Sequence, residues 1–314
     1  MSQDKSFFPA LFRDAVGRPL REGVPLRDYT NFRIGGAADF FFEAETATEL
    51  KAAVRAARDG GMPIFIIGGG FNLLFDDAGF RGFIVKNSAK GLAFSGPGEK
   101  AKAASGTPIG ALVDFAAENG WEGFEFLAGI PGTVGGAVYG NAGAFGRCLG
   151  DTLEEALLMT RRGGEMRVSR DYFEFGYRHS KLKRVDDVLL EATFRLRPGD
   201  KAAIRAKIAE NLAVRAKKHP PADTAYAGSF FKNPPLVDGT KTAAGYLLEQ
   251  VGARELRVGG AVVYPGHCNL LLNADRATAR DVLALAAELK ARVRAKFGIV
   301  LEEEVIYVPS VPVQ

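Results

Sequence analysis

The chain has 314 residues, 47% of them hydrophobic and 25% charged, a balance that suits a globular protein with room for two or three domains. A net charge of +4, with no lysine or arginine cluster interleaved with aromatics, falls short of a nucleic-acid footprint and points to a small anionic partner. The two cysteines, Cys148 and Cys268, lack C-x-x-C spacing and suggest neither a disulfide framework nor a zinc site, so no metal is expected. The leading "MSQDKSFFPALFRD" is charged where a secretory leader needs its apolar core, which makes the cytoplasm the expected location.

Strand-like and helix-like segments alternate from about residue 30 onward, the pattern of an α+β or α/β protein. In "TATELKAAVRAARDGG", Thr46 and Glu49 form a capping box, Leu50, Val54 and Ala57 a stripe, and Gly60 the stop of a first helix. "PIFII" (63–67) reads as a short buried strand running into Gly68, Gly69 and Gly70. "TPIGALVDFAAENG" predicts a helix with Thr107 as N-cap, Pro108 at its first position and Gly120 beyond its end. Strand-like "VLLEATFRL" (188–196) precedes a helix with Ile204, Ile208 and Leu212 on one face, which ends before Pro220. "TARDVLALAAELKARVRAKFG" carries Val282, Ala286, Leu289, Val293 and Phe297 at helical spacing behind Thr278 and Asp281. There is no internal repeat. Breaks in pattern at the turn-rich "NSAKGLAFSGPGEK" (87–100) and at "KKHPPADTA" (217–225) predict three parts, 1–88, 89–218 and 219–314.

One segment resists the helix-or-strand reading. Phe126 to Gly146 carries no charge, but its seven glycines, Pro131 and Asn141 rule out a membrane span, and none is expected elsewhere. Ile130, Val134, Val138, Tyr139 and Phe145 recur through it, unlike a flexible linker. Two readings stay open: glycines that serve turns, or backbone brought close to a polyanionic ligand whose partners are N–H groups. A second cluster, "IIGGGFNLLF" (66–75), invites the same question. Neither matches the P-loop or the G-x-G-x-x-G fingerprint, and two separate amide nests suit a long ligand with a diphosphate in its middle.

Eight motifs in order resolve this. "TNFRIGGAADF", "IIGGGFNLLF", "GIPGTVGGAVYGNAGAFG", "FGYRHS", "AGSFFKNP", "AGYLLEQVG", "HCNLLLN" and "FGIVLEEEV" together resemble the UDP-N-acetylenolpyruvoylglucosamine reductase family over nearly the whole chain. The resemblance implies an α+β fold: a two-part FAD domain of the PCMH, or vanillyl-alcohol-oxidase, type and a smaller C-terminal α/β substrate domain. The lack of a long insertion before "AGSFFKNP" looks like the shorter, type II form. It also implies non-covalent FAD, NADPH as hydride donor, UDP-N-acetylglucosamine enolpyruvate as substrate, a role in peptidoglycan precursor synthesis and a monomer.

By the same resemblance FAD lies along Gly68, Gly69, Gly70, Phe71, Asn72 and Leu73. It also lies along Gly129, Pro131, Gly132, Thr133, Val134, Gly135, Gly136 and Ala137, and then Asn141, Ala142 and Gly143. Amides from Gly68 to Leu73 and from Gly132 to Ala137 are the expected donors. Phe71 stands where the family commonly has serine, Phe145 where it has tyrosine, and "IYVPS" replaces its "IIG" ending. Arg178 in "GYRHS" matches the cation that stabilises charge on the substrate carboxylate, for which a bidentate guanidinium is suited. Ser229 in "GSFF" matches the proton donor, and Glu304, chosen over Glu302 and Glu303 by the "EV" pair, matches the catalytic acid beside the carboxylate. Asn233 and Lys218, preferred over Lys217, are expected at the diphosphate, with Tyr139, Gln250 and His267 as further substrate candidates. His267 reads equally well as a structural turn histidine. Two other classes remain: another FAD oxidoreductase acting on an alcohol or hydroxy acid, which leaves "SFFKNP" unexplained, and a non-catalytic nucleotide-binding module, which leaves Arg178, Ser229 and Glu304 without a shared purpose.

Overall fold

A computed structural model of the chain describes residues 5–95, 99–235 and 242–311, so the turn-rich stretch read at 87–100 lies partly outside the described residues. The chain divides into two compact units. One is built from the segment ending at Arg21, Phe40–Gly69 and Phe83–Arg215; the other comprises Glu22–Asp39, Gly70–Gly82 and the segment from Ala216 on.

In the first unit α1 (Phe8–Val16) and α2 (Ala47–Asp59) pack on a sheet in which Ile64–Ile67 runs parallel to Phe80–Asn87, with Ala37–Ala44 on the other flank of Phe80–Asn87. Thr46 caps α2 through the Glu49 amide, and Leu50, Val54 and Ala57 face the core as their spacing requires. Phe8 meets Phe83 edge-on at 5.2 Å and Phe12 meets Phe42 at 5.0 Å, which locks α1 over the sheet. Each such buried ring contributes on the order of 1.5–3 kcal/mol.

A second core in the same unit lies on a five-stranded antiparallel sheet of order Glu165–Ser169, Leu153–Met159, Val188–Arg195, Lys100–Ala104, Leu92–Ser95. Here two expectations are corrected. Helix α3 (Ile109–Glu118) starts after Pro108, which occupies the N-cap with extended backbone, while the Thr107 hydroxyl bonds to the amide and carbonyl of Gly91. With its hydroxyl spent on Gly91 and its carbonyl on the Val134 amide, Thr107 caps nothing on α3, whose first amide, that of Ile109, donates to the Gly132 carbonyl instead. Two further helices complete the unit, α4 (Val134–Gly140) and α5 (Lys201–Ala216). On α5 Ile204 is buried, but Leu212 is 44% exposed and instead lies against the backbone of Gly129.

The second unit carries an antiparallel sheet of order Tyr226–Ser229, Leu270–Asn273, Ala261–Val263, Arg257–Val258, with α6 (Ala244–Gln250) and α7 (Ala279–Phe297). The α7 stripe of Val282, Ala286, Leu289 and Val293 is fully covered, joined by Leu247, Leu248, Phe230 and Phe231, and by Phe32, Ile34 and Leu74 from earlier in the chain. Thr278 and Asp281 form the capping box, and the Asp77 carboxylate accepts from the amides of Ala279 and Arg280, an anion at the positive end of the helix. Ile306–Val308 pairs in parallel with Leu73–Phe75. Among the described residues no helix is long and apolar enough to cross a membrane.

Candidate active site

Packing explains part of the first glycine cluster. A Cβ on Gly68 would sit 2.3 Å from Thr133 Oγ1, and on Gly70, at φ +69°, 2.1 Å from the Tyr29 carbonyl oxygen, so neither position admits a side chain. The Gly70 carbonyl accepts from the Asn31 amide, and the same asparagine donates its side chain to the Tyr226 carbonyl at 2.7 Å, at the head of the Ser229 strand. Asn72 donates to the Glu304 carbonyl at 3.0 Å and accepts from the Ile306 amide, while Leu73 is buried in the strand pairing. Amides from Gly69 to Asn72 meet no protein acceptor among the described residues, and Phe71 is half-buried.

The longer run differs from the expectation of a row of donor amides. Those of Val134 and Gly135 donate to the carbonyls of Thr107 and Ser105, that of Ala137 to Thr133, and that of Gly136 reaches the capping Thr133 hydroxyl at 3.4 Å. They are taken because the start of α4 docks on the Ser105–Thr107 backbone; a Cβ on Gly135 would lie 3.0 Å from the Ser105 oxygen. Ala142 is likewise engaged at both amide and carbonyl, and a Cβ on Gly143 would lie 2.4 Å from the Arg147 oxygen. Gly129 and Gly132 have left-handed backbone, and Pro131 between them is exposed. Gly132 and Gly140 differ in what surrounds them: a Cβ there would meet nothing within 4 Å, and one on Gly136 would meet Thr133 Oγ1 alone, at 3.7 Å. Gly136 and Gly140 are four residues apart and so share one face of α4, which is bare of side chains. A bare helix face with free loop amides fits a flat, phosphate-bearing group such as FAD.

The end of the run holds Arg178. Tyr177 and Arg178 form the tip of a tight turn closed by reciprocal bonds between Gly176 and His179, with Arg178 at φ +53°. Left-handed backbone costs a non-glycine residue roughly 1–2 kcal/mol, and side-chain hydrogen bonds around the turn offset it. Asn141, 3% exposed, donates to the Gly176 carbonyl at 2.8 Å while accepting from the Gly150 amide. The fully buried Ser180 donates to the Tyr139 carbonyl at 2.8 Å, and Arg178 Nη2 to the Gly143 carbonyl at 2.9 Å. The Asn141 side chain is thus committed to the protein. Phe145 and Gly146, both at positive φ, link the adjacent strands Gly143–Ala144 and Arg147–Cys148, and the Phe145 ring is 46% exposed.

In the second unit Gly228, at φ +69°, makes a bulge in the strand Tyr226–Ser229, after which Ser229 pairs with Leu270. Such a bulge re-aims the side chain that follows it. The Phe230 carbonyl accepts from the Glu304 amide at 2.7 Å, so Ser229 and Glu304 stand on neighbouring backbone segments. Asn269, 3% exposed, fixes this junction by accepting from the Phe231 amide at 2.9 Å and donating to its carbonyl at 2.8 Å. Glu302 and Glu303 are exposed and paired with Lys232 and Lys290, whereas Glu304 is half-buried.

The remaining candidates have mixed surroundings. Asn233 Oδ1 accepts from the Ala244 amide at the start of α6. His267 Nδ1 accepts from the Asn269 amide, and burial, with a smaller contribution from the Lys218 charge, pushes its pKa down. Gln250 is exposed at the end of α6, and burial raises the Tyr139 phenol, which stays neutral. Asn31, Ser180 and Asn269 were not singled out by sequence, although each lies inside a quoted motif.

The family models agree with this layout. Residues 38–169 match an FAD binding domain, and residues 220–308 match the C-terminal domain of UDP-N-acetylenolpyruvoylglucosamine reductase. The chain is 42% identical over 302 residues, 91% of its own length and 95% of the relative's, to the reductase of that name from Solibacter usitatus. It is 42% identical to that of Geobacter metallireducens, over 92% of this chain and 93% of the relative. The solved structure of the Thermus caldophilus reductase superposes with a TM-score of 0.75 at 32% identity, covering 92% of this chain and all of that one. The α+β fold with an FAD domain and a smaller C-terminal domain is therefore the one read from the motifs, and the chain belongs to the UDP-N-acetylenolpyruvoylglucosamine reductase family.

Proposed function

We propose that the protein reduces UDP-N-acetylglucosamine enolpyruvate to UDP-N-acetylmuramate with hydride supplied by NADPH, as a cytoplasmic monomer in peptidoglycan precursor synthesis. The observation that carries this reading is the junction at Phe230, which brings Ser229 and Glu304 onto adjacent segments in a chain of this family. FAD, when bound, would supply the hydride transfer that links NADPH to the enolpyruvyl double bond. In the first unit the amides of Gly132 and Thr133 and the bare face at Gly136 and Gly140 would hold it, and in the second unit the amides of Gly70 to Asn72 are candidate donors to it. Arg178 binds the substrate carboxylate, where negative charge develops, with Glu304 beside it. Ser229 protonates the neighbouring carbon. Lys218 and Asn233 take the UDP diphosphate.

Purified protein is expected to be yellow and to release its flavin on acid or heat treatment. Steady-state rates should follow ping-pong order, since one flavin serves both partners in turn. The decisive experiment mixes the reduced protein anaerobically with the enolpyruvyl sugar; flavin that stays reduced would sink the reading.

The cradle has its own test. Gly136→Ala places a methyl where the protein offers open space, so flavin-free protein should be stabilised by roughly 0.5–1 kcal/mol, the usual gain for alanine over glycine inside a helix. FAD affinity should nevertheless drop at least about 10-fold, because the same methyl stands in the flavin's place. Unchanged flavin titration would move the cofactor off this face.

A further inference from the structure

Lys183 belongs to none of the roles assigned above, yet it is bonded to the strained residue among them. Its Nζ donates to the carbonyl oxygen of Arg178 at 2.9 Å and stands 5.5 Å from the centre of the Tyr139 ring. Arg178 is held at φ +53°, a backbone conformation that an arginine does not choose unaided. Bonds from Asn141 and Ser180 fasten the flanking residues of its turn, and one from the guanidinium to Gly143 fastens its tip. Lys183 donates to the carbonyl of Arg178 itself, and its half-buried side chain, set against that oxygen and the face of Tyr139, fixes the peptide plane from which the arginine side chain departs.

We infer that Lys183 is a positioning residue for the reaction, holding Arg178 in its left-handed conformation so that the guanidinium meets the substrate carboxylate without reorganising. This rests on the proposed function, in which Arg178 is the carboxylate-binding cation. The action runs through Arg178, which predicts coupling. Removing Lys183 should matter while Arg178 is present and cease to matter once the guanidinium is gone.

The test is a double-mutant cycle of Lys183→Ala and Arg178→Ala, read on the FAD-loaded protein by stopped-flow absorbance in each half-reaction. Lys183→Ala should leave flavin content, Tm and reduction by NADPH within about two-fold of the parent, while slowing reoxidation by UDP-N-acetylglucosamine enolpyruvate roughly 10–100-fold, as expected of a misplaced catalytic group. In the Arg178→Ala background the same change should cost less than about two-fold. Lys183→Gln, which keeps a donor and loses the charge, should recover part of the rate, and it carries the cycle if the alanine variant fails to fold. Affinity for the enolpyruvyl sugar, titrated through the oxidised flavin spectrum, should follow the same pattern without turnover. Effects that multiply in the double variant would overturn the inference, because Lys183 would then act on the ligand by itself; equal slowing of both half-reactions would overturn it too. Parent protein that the enolpyruvyl sugar fails to reoxidise would instead bring down the proposed function, and the inference with it.

Discussion

Ser229→Ala should slow flavin reoxidation by the enolpyruvyl sugar at least about 100-fold, the loss typical of removing a positioned acid, while bound FAD and its reduction by NADPH stay near normal. The asymmetry follows from assigning the hydroxyl to the substrate carbon alone, since hydride transfer from NADPH needs no such donor. Backbone geometry makes the variant a clean one. The position of Ser229 is set by the Gly228 bulge and by pairing with Leu270, and neither depends on the hydroxyl. Ser229→Cys offers a thiol of pKa near 8.5 and should restore part of the rate if the group acts as proton donor. Equal slowing of both half-reactions by alanine would show that Ser229 shapes the flavin pocket.

Arg178→Ala should cost still more in the same step, roughly 10³-fold, because the charge that develops on the substrate carboxylate loses its permanent cation. Alanine keeps the left-handed strain at this position while losing the bond to the Gly143 carbonyl and the contact with the Tyr177 ring, so stability should fall modestly. Arg178→Gly removes the strain and should raise stability by up to about 1 kcal/mol while being just as inactive. Arg178→Lys retains charge without the planar fork and should recover a minor part of the rate. A glycine variant less stable than the alanine one would show that the left-handed turn carries no strain, and near-normal reoxidation in Arg178→Ala would remove the residue from the mechanism.

The two variants probe residues that became legible in different ways. Local signals were strong where one physical cause acts within a few residues: Thr46 and Glu49 start α2, and Thr278 and Asp281 start α7, because a cap is a contact three positions long. Thr107 misled because its hydroxyl found Gly91 and its carbonyl the Val134 amide, partners distant in the chain that no local pattern records. The glycines of the two clusters were visible, but their separate reasons were not. Gly68 yields to Thr133 and Gly70 to Tyr29, distant in sequence, whereas Gly136 and Gly140 yield to no protein atom.

By itself the sequence determined the family, the α+β class and the stripes that build the cores, and it singled out Arg178, Ser229 and Glu304 as candidates, because ordered motifs and periodicity are written along the chain. Only the tertiary structure decided which backbone amides are already taken, that Glu302 and Glu303 are held in ion pairs while Glu304 is half-buried, and that Asn141, Ser180, Asn269 and Lys183 fasten the segments bearing the proposed catalytic residues. It also decided that Glu22–Asp39 and Gly70–Gly82 belong to the unit that begins again at Ala216. The reason is physical: a hydrogen bond between residues 31 and 226, or 72 and 304, satisfies a polar group that has no partner nearby in the chain, and no local pattern records where that partner will come from.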